Sequence, residues 1–293
     1  CNTDMVIKAD RLPVPGETII GGSFMMNPGG KGANQAVAAA RLKGNVHFIA
    51  KTGNDLFGKR SIEQYEDEGI HVENIYSDLT LPSGVALIMV DMNGENSIAI
   101  ASGANGSLSP EDIRKAQPTI EKGDILLMQL EIPIQTVEYA ARRAFEKGVK
   151  VVLNPAPARS LPKELLRYLF MITPNRIEAE MLTGIKIVND ADAERVAKEI
   201  SAMGVQNIIV TLGSKGCLVR EGDTSYCVDA FKVEPVDTTA AGDTFNGALC
   251  VGLAEGMNLR QAAVMASKAS SVAVTRMGAQ SSIPHRKELD LNE

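Results

Sequence analysis

The chain has 293 residues, 44% of them hydrophobic and 23% charged, with a formal net charge of −6 at pH 7. That is ordinary for a globular protein with a sizeable core, built as one large α/β domain or two small ones. The acidic balance excludes the basic face that nucleic acid requires, and no apolar stretch approaches the ~18 residues of a membrane span; with no charged-then-apolar leader in view, a cytoplasmic location is expected, with no nucleic-acid or membrane partner.

In chain order, a helix is predicted from Lys31 to Leu42, after a run of glycines. Another follows from Phe57 to Glu68, stopped by Gly69. The apolar run Ile125–Met128 reads as a buried strand, Ile134–Lys147 as a helix ending at Gly148, and Val149–Leu153 as the next strand. Asp190–Met203 repeats apolar residues at Val196, Ile200 and Met203 and stops at Gly204, and Ile208–Leu212 is again a strand. This alternation predicts a mostly parallel sheet covered on both faces. Two stretches break the rhythm. Pro15–Phe24, Val85–Val90 and Asn96–Ala101 read as strands of a small β-lid, with Asp91–Gly94 as a hairpin turn. Apolar lid strands need a cover, from a second subunit or from another layer of the same chain.

The cysteines at 1, 217, 227 and 250 form no C-x-x-C pair and the histidines at 47, 71 and 285 are scattered, which argues against a zinc set and for free thiols. Chemistry concentrates elsewhere. In the segment 236–249, Ala240, Ala241 and Gly242 leave backbone amides bare at a helix start, where the dipole also favours an anion. Asp243 falls in the first turn, and there it is either a base for a hydroxyl attacking that anion or a helix cap. A second glycine-rich turn, 27–36, leads into an alanine-rich helix; alone, Lys31 is as readily a solvated charge and Asn34 a cap. Glu131 follows a strand, which favours a site at the carboxyl end of the sheet. Asn175 and Glu178 share a helix face, suited to hydrated Mg²⁺ or to a capping box. Thr211–Gly216 is a strand running into a glycine turn, either a nucleotide loop or a plain hairpin. Neither a Walker A motif nor the dinucleotide fingerprint G-x-G-x-x-G is present.

Gly29-Gly-Lys-Gly-Ala-Asn34 and Asp237-Thr-Thr-Ala-Ala-Gly-Asp243 together resemble the two signatures of the ribokinase, or phosphofructokinase B, family of carbohydrate kinases. Further matches at 2–4, 15–18, 128–131, 154–158, 173–178, 211–216 and 274–280 extend the resemblance over essentially the whole chain and narrow it to the ribose-phosphorylating members. It implies a three-layer α/β/α fold spanning 1–293 as one domain, with a β-lid from about 5–28 and 84–103. The implied reaction is ATP-dependent phosphorylation of D-ribose at the 5-hydroxyl, with Asp243 as base beside Ala241 and Gly242. A fructokinase, an adenosine kinase or an inactive sugar-binding regulator are the alternatives.

The resemblance also distributes roles. The sugar falls to Asn2, Thr3, Asp4, Gly30, Lys31, Gly32, Ala33, Asn34, Glu131 and Asp243. The nucleotide falls to Asn175, Thr211, Leu212, Gly213, Ser214, Lys215, Gly216, Gly242, Asp243 and Ser267. Glu178 is implied for Mg²⁺ through water, and Asp237, Thr239, Ala273, Arg276, Gly278 and Ser282 for an activating K⁺. The lids are expected to pair in a homodimer. Members of the family open on an apolar strand that runs into the Asn2–Asp4 motif, so most of that strand is expected to lie outside this sequence.

Overall fold

The computed structural model describes residues 1–289. Strands β1 (Asn2–Lys8), β2 (Ser23–Gly29), β5 (Gly84–Val90) and β6 (Asn96–Ala101) form one sheet in the order β2-β1-β5-β6. Strands β3 (Ala50–Gly53) and β4 (Ile75–Asp78) form a parallel pair. Strands β7 (Ile125–Met128), β8 (Lys150–Leu153), β9 (Met171–Ile172), β10 (Asn207–Thr211), β11 (Cys217–Glu221) and β12 (Thr224–Val228) form a six-stranded sheet in reverse chain order. It is parallel from β7 to β10 and antiparallel beyond.

The helices are α1 (Lys31–Arg41), α2 (Leu56–Asp67), α3 (Pro110–Lys115), α4 (Gln117–Ile120), α5 (Ile134–Glu146), α6 (Lys163–Leu166), α7 (Arg176–Thr183), α8 (Asp190–Ala202), α9 (Ala241–Ala254) and α10 (Leu259–Ala273). The period of two along each strand sorts them into layers. Val151, Leu153, Ile208 and Val210 pack with Val137, Ala141, Val196 and Ile200 of α5 and α8. Val152 and Ile209 point the other way, into Phe245, Leu249, Ala262 and Ala266 of α9 and α10. Strands buried on both faces therefore read as continuous apolar runs, and the three-layer α/β/α expectation is met.

Two expectations are corrected. Pro15–Phe24 is not a strand: Gly16, Gly21 and Gly22 take positive φ, and extended pairing begins only at Ser23. Asn27–Gly29 is the end of β2 rather than a turn, the turn being reduced to Gly30 at φ 91°. The expected strands at 125–128, 149–153 and 208–212 all lie in the six-stranded sheet, and the unpredicted pair β3–β4 stands apart from it. A cavity of about 770 Å³, lined among others by Cys1, Ala36, Ala39, Ile49, Leu127 and Val251, separates the β7 edge from residues 46–50, and it reaches Gln35, Gln129 and Glu131.

One close approach positions everything that follows. A Cβ added at Gly247 of α9 would lie 2.6 Å from the Ala38 Cβ of α1, so the two helices touch backbone to backbone through small residues. One turn earlier on each helix stand Asn34 and Asp243.

Candidate active site

Asp243 does not cap its helix. The cap position belongs to Ala240, in the left-handed region at φ 58° and offering no side-chain bond, while Asp243 turns inward and is 7% exposed. Its Oδ2 accepts from Asn34 Nδ2 and its Oδ1 from Gln35 Nε2, both at 2.9 Å. Burial pushes the carboxyl above its ordinary range; the Lys31 charge and the two amides pull it back, and Glu131 adds to the rise.

The helix start beside it differs in one detail from expectation. The Ala241 N–H already donates to Thr238 O at 3.2 Å. Among the described residues, the N–H groups of Gly242 and Asp243 have no acceptor, so they are the open donors at the positive end of a helix of 14 residues.

The residues expected to meet a sugar assemble around the same point. Gly29 leaves room for the Asp4 carboxylate, which a Cβ there would overlap. Burial, reinforced by Glu131, raises Asp4 to about 6. The Glu131 carboxylate accepts the Lys31 N–H at 2.9 Å, fixing the first turn of α1 under the sheet. The Lys31 charge acts on Asp4, Asp243 and Glu178 alike, so one ammonium sits among carboxylates from β1, α7 and α9. Asn2 and Thr3 are buried, Asn2 accepting from Asn105 Nδ2 at 2.9 Å. Gly32 and Ala33 lie within the first turn of α1.

Of the residues expected to meet a nucleotide, Asn175 and Thr211–Gly216 lie at the carboxyl ends of β9 and β10. Asn175 and Glu178 form the capping box: Asn175 Oδ1 accepts the Glu178 N–H at 2.9 Å, and Glu178 Oε2 accepts the Asn175 N–H at 2.8 Å. Burial raises Glu178. Thr211 pairs with Asn175 across a parallel bridge, and Leu212–Gly216 close the β10–β11 hairpin with Gly213 and Gly216 at positive φ, Ser214 and Lys215 at its tip. Ser267 is buried on α10, whereas Ser270 reaches α9, its Oγ donating to Ala241 O at 3.0 Å.

Asp237 ties two distant loops directly. Its Oδ1 accepts the Thr239 N–H and its Oδ2 the Gly278 N–H, each at 2.9 Å. Burial alone would raise this carboxyl, but those bonds outweigh it and hold it low. The Ala273 carbonyl accepts from Arg276 N at 3.1 Å, and Ser282 is fully buried, its Oγ donating to Ala279 O at 2.7 Å.

Sequence reasoning missed a polar network. Gln35, Asn154, Thr173, Asn246, Gln129 and Gln280 connect Asp243 to the sheet and to the last loop. All six lie inside segments singled out in the sequence, where a polar residue in an otherwise apolar, buried run was the available signal.

The pfkB family carbohydrate kinase profile matches residues 1–286. A ribokinase of Haemophilus influenzae is 44% identical over 290 residues, covering 98% of this chain and 94% of its own. The crystal structure of a ribokinase from Thermotoga maritima superposes with a TM-score of 0.91 at 41% identity, covering 99% of this chain and 95% of that one. The Arabidopsis thaliana ribokinase complexed with ribose and ATP superposes at 0.90 with 32% identity, covering 98% and 94%.

Proposed function

The chain belongs to the pfkB family of carbohydrate kinases, and from that premise we propose that it transfers the terminal phosphoryl group of ATP to the 5-hydroxyl of D-ribose, giving ribose 5-phosphate and ADP. The observation that carries this reading is Asp243. It is a buried carboxylate, held by two amides, beside two open N–H groups at the start of α9. Its oxygen takes the hydroxyl proton as the sugar oxygen attacks the γ-phosphorus, and the bond to the leaving ADP oxygen breaks in line. The Gly242 and Asp243 N–H groups face the charge that develops on the transferred group. Asp4, Lys31, Asn34 and Glu131 offer the hydrogen-bonding groups that a polyol requires.

Mg²⁺ fits this site in one way. Both Glu178 oxygens already serve Asn175, at 2.8 and 2.9 Å, and each retains a lone pair for a metal-bound water. When bound, Mg²⁺ neutralises phosphate charge. For K⁺ we propose oxygens of Asp237, Thr239, Ala273, Arg276, Gly278 and Ser282, where the ion would reinforce a connection that the Asp237–Gly278 bond already makes.

We also propose a homodimer through the lid. The register β2-β1-β5 places Phe24, Ile7 and Met89 in one row, and Met26, Met5 and Leu87 in the next, on the face opposite Asp4. That face is apolar, and Phe24 and Leu87 are 60% and 55% exposed, so no layer of the same chain covers it among the described residues.

A coupled ADP-release assay with D-ribose, 2-deoxyribose, fructose and adenosine tests the reading. D-ribose is expected to show the highest kcat/KM, because a site built to pair with a hydroxyl rejects analogues that lack it. Adenosine or fructose in first place would retire the ribose reading and leave the family intact.

A further inference from the structure

Gln35 and Gln280 are each 1% exposed, and neither has a part in phosphoryl transfer as described above. Both are bonded through the amide nitrogen and the amide oxygen. The two hydrogens of Gln35 Nε2 go to Asp243 Oδ1 at 2.9 Å and Asn154 Oδ1 at 3.0 Å, while its Oε1 accepts from Gln129 Nε2 at 2.5 Å. On the other arm, Asn34 Nδ2 donates to Asp243 Oδ2, and Asn34 Oδ1 accepts from Gln280 Nε2 at 3.2 Å. Gln280 Oε1 in turn accepts from Gln64 Nε2 of α2 at 2.7 Å.

The direction of this chain is set at its centre. An ionised carboxylate accepts and cannot donate, so Asn34 and Gln35 must both turn their NH₂ groups toward Asp243. Asn34 then presents its carbonyl to Gln280, which must donate, and Gln280 presents its own carbonyl to Gln64. A flip of any one amide sets oxygen against oxygen on one side and hydrogen against hydrogen on the other. A protonated Asp243 has the same difficulty, because its O–H would meet an amide donor on whichever oxygen carried it. The chain thus selects one orientation and the charged form, against the burial that opposes charge.

We propose that Gln35 and Gln280 are positioning residues for the Asp243 base, holding its carboxylate in one rotamer and in the ionised state. The inference rests on reading Asp243 as the base. Gln280 is also the side chain through which the last loop reaches the site: two residues before it, the Gly278 N–H is bound to Asp237. Order in the 274–283 loop is therefore transmitted to the base by Gln280 and Asn34.

The charged groups facing Asp243 are Lys31 at the start of α1, Glu131 after β7, Asp4 on β1 and Glu178 on α7. None is hydrogen-bonded to Gln35 or Gln280. The test is the pH profile of kcat, at saturating ATP and D-ribose, for Gln35→Leu and Gln280→Leu. Gln35→Leu removes a donor to the anion, so the acid limb should move up by about one pH unit; Gln280→Leu releases the Asn34 carbonyl that holds the second donor in place, so the limb should move up by less, with the KM for ATP within about twofold in both. The rate should then fall most at low pH and recover at high pH. A lower kcat with an unmoved limb in both variants would mean that the glutamines only pack, and would overturn the proposal. If both variants fail to fold, Gln64→Leu at the half-buried end decides: a smaller upward shift supports the chain, and no shift overturns it. Asp243→Asn assayed in parallel separates the two levels, since its retention of activity would remove the base itself.

Discussion

At the scale of single residues, the site is a conflict between burial and charge. Asp243→Asn preserves shape and removes the proton acceptor, so kcat is expected to fall by ~10²–10⁴. Its thermal midpoint should fall only modestly: the neutral amide escapes the burial that opposes charge, but its NH₂ group must face the donor of either Asn34 or Gln35. Turnover near the wild-type rate would show that Asp243 is not the base. Asp4 carries the same conflict into the pH dependence. Its folded-state value of about 6 lies above the ordinary 3.8, so between those values the folded chain holds a proton that the unfolded chain has released. Stability from this group is thus greatest below about pH 4 and declines as pH rises through 6. Activity runs the opposite way if the ionised carboxylate receives a sugar hydroxyl. In wild type, kcat/KM for D-ribose should fall below about pH 6 while the Asp4-linked part of stability rises, and in Asp4→Asn that decline in stability should flatten. Urea unfolding at pH 4.5 and 7, with wild type and variant side by side, measures the second half.

At the scale of elements, the contact between α1 and α9 governs the geometry of Asp243, the proposed base. Gly247→Ala places a methyl group 2.6 Å from the Ala38 Cβ and 2.7 Å from Gln35 O. Forcing the helices apart is expected to cost roughly 1–3 kcal/mol and to lengthen the Asn34 and Gln35 bonds to Asp243, lowering kcat as well. Ala38→Gly in the same chain should recover part of both losses, whereas a purely additive double variant would show that the contact is not shared. This contact also marks how far the sequence could be read. The two motifs, the helices after them and the apolar strands were legible because small residues, periodicity and stop glycines are local signals. The spacing of Asn175 and Glu178 fitted a capping box and a magnesium site equally, and the structure builds the box without removing the lone pairs that a hydrated ion would use. Ile19 and Ile20 suggested a strand, but the positive-φ glycines around them bend the backbone out of any ladder. Gln280 lies in the match at 274–280, but nothing local pointed to its bond with Asn34, a residue 246 positions away.

At the scale of the whole molecule, the lid has two faces with different demands. One carries Asp4 toward the site, and the other carries Phe24, Ile7, Met26, Met5, Leu87 and Met89 outward along three adjacent strands. A row of apolar side chains on a twisted sheet is stable in water only if covered, and a second copy of the same face is self-complementary under a two-fold axis. Because the two faces share their strands, fixing the outer one restrains the backbone that presents Asp4. Leu87→Glu puts a charge at the centre of the outer face without touching the inner one. Sedimentation of wild type at micromolar concentration should give the dimer mass, and the variant the monomer mass. The monomer should keep its helical circular dichroism, since Leu87 belongs to none of the buried clusters, and should show a raised KM for the sugar as Asp4 loosens. A monomeric wild type would dismiss the lid interface. A monomeric variant with an unchanged KM would keep the interface and dismiss its link to the site.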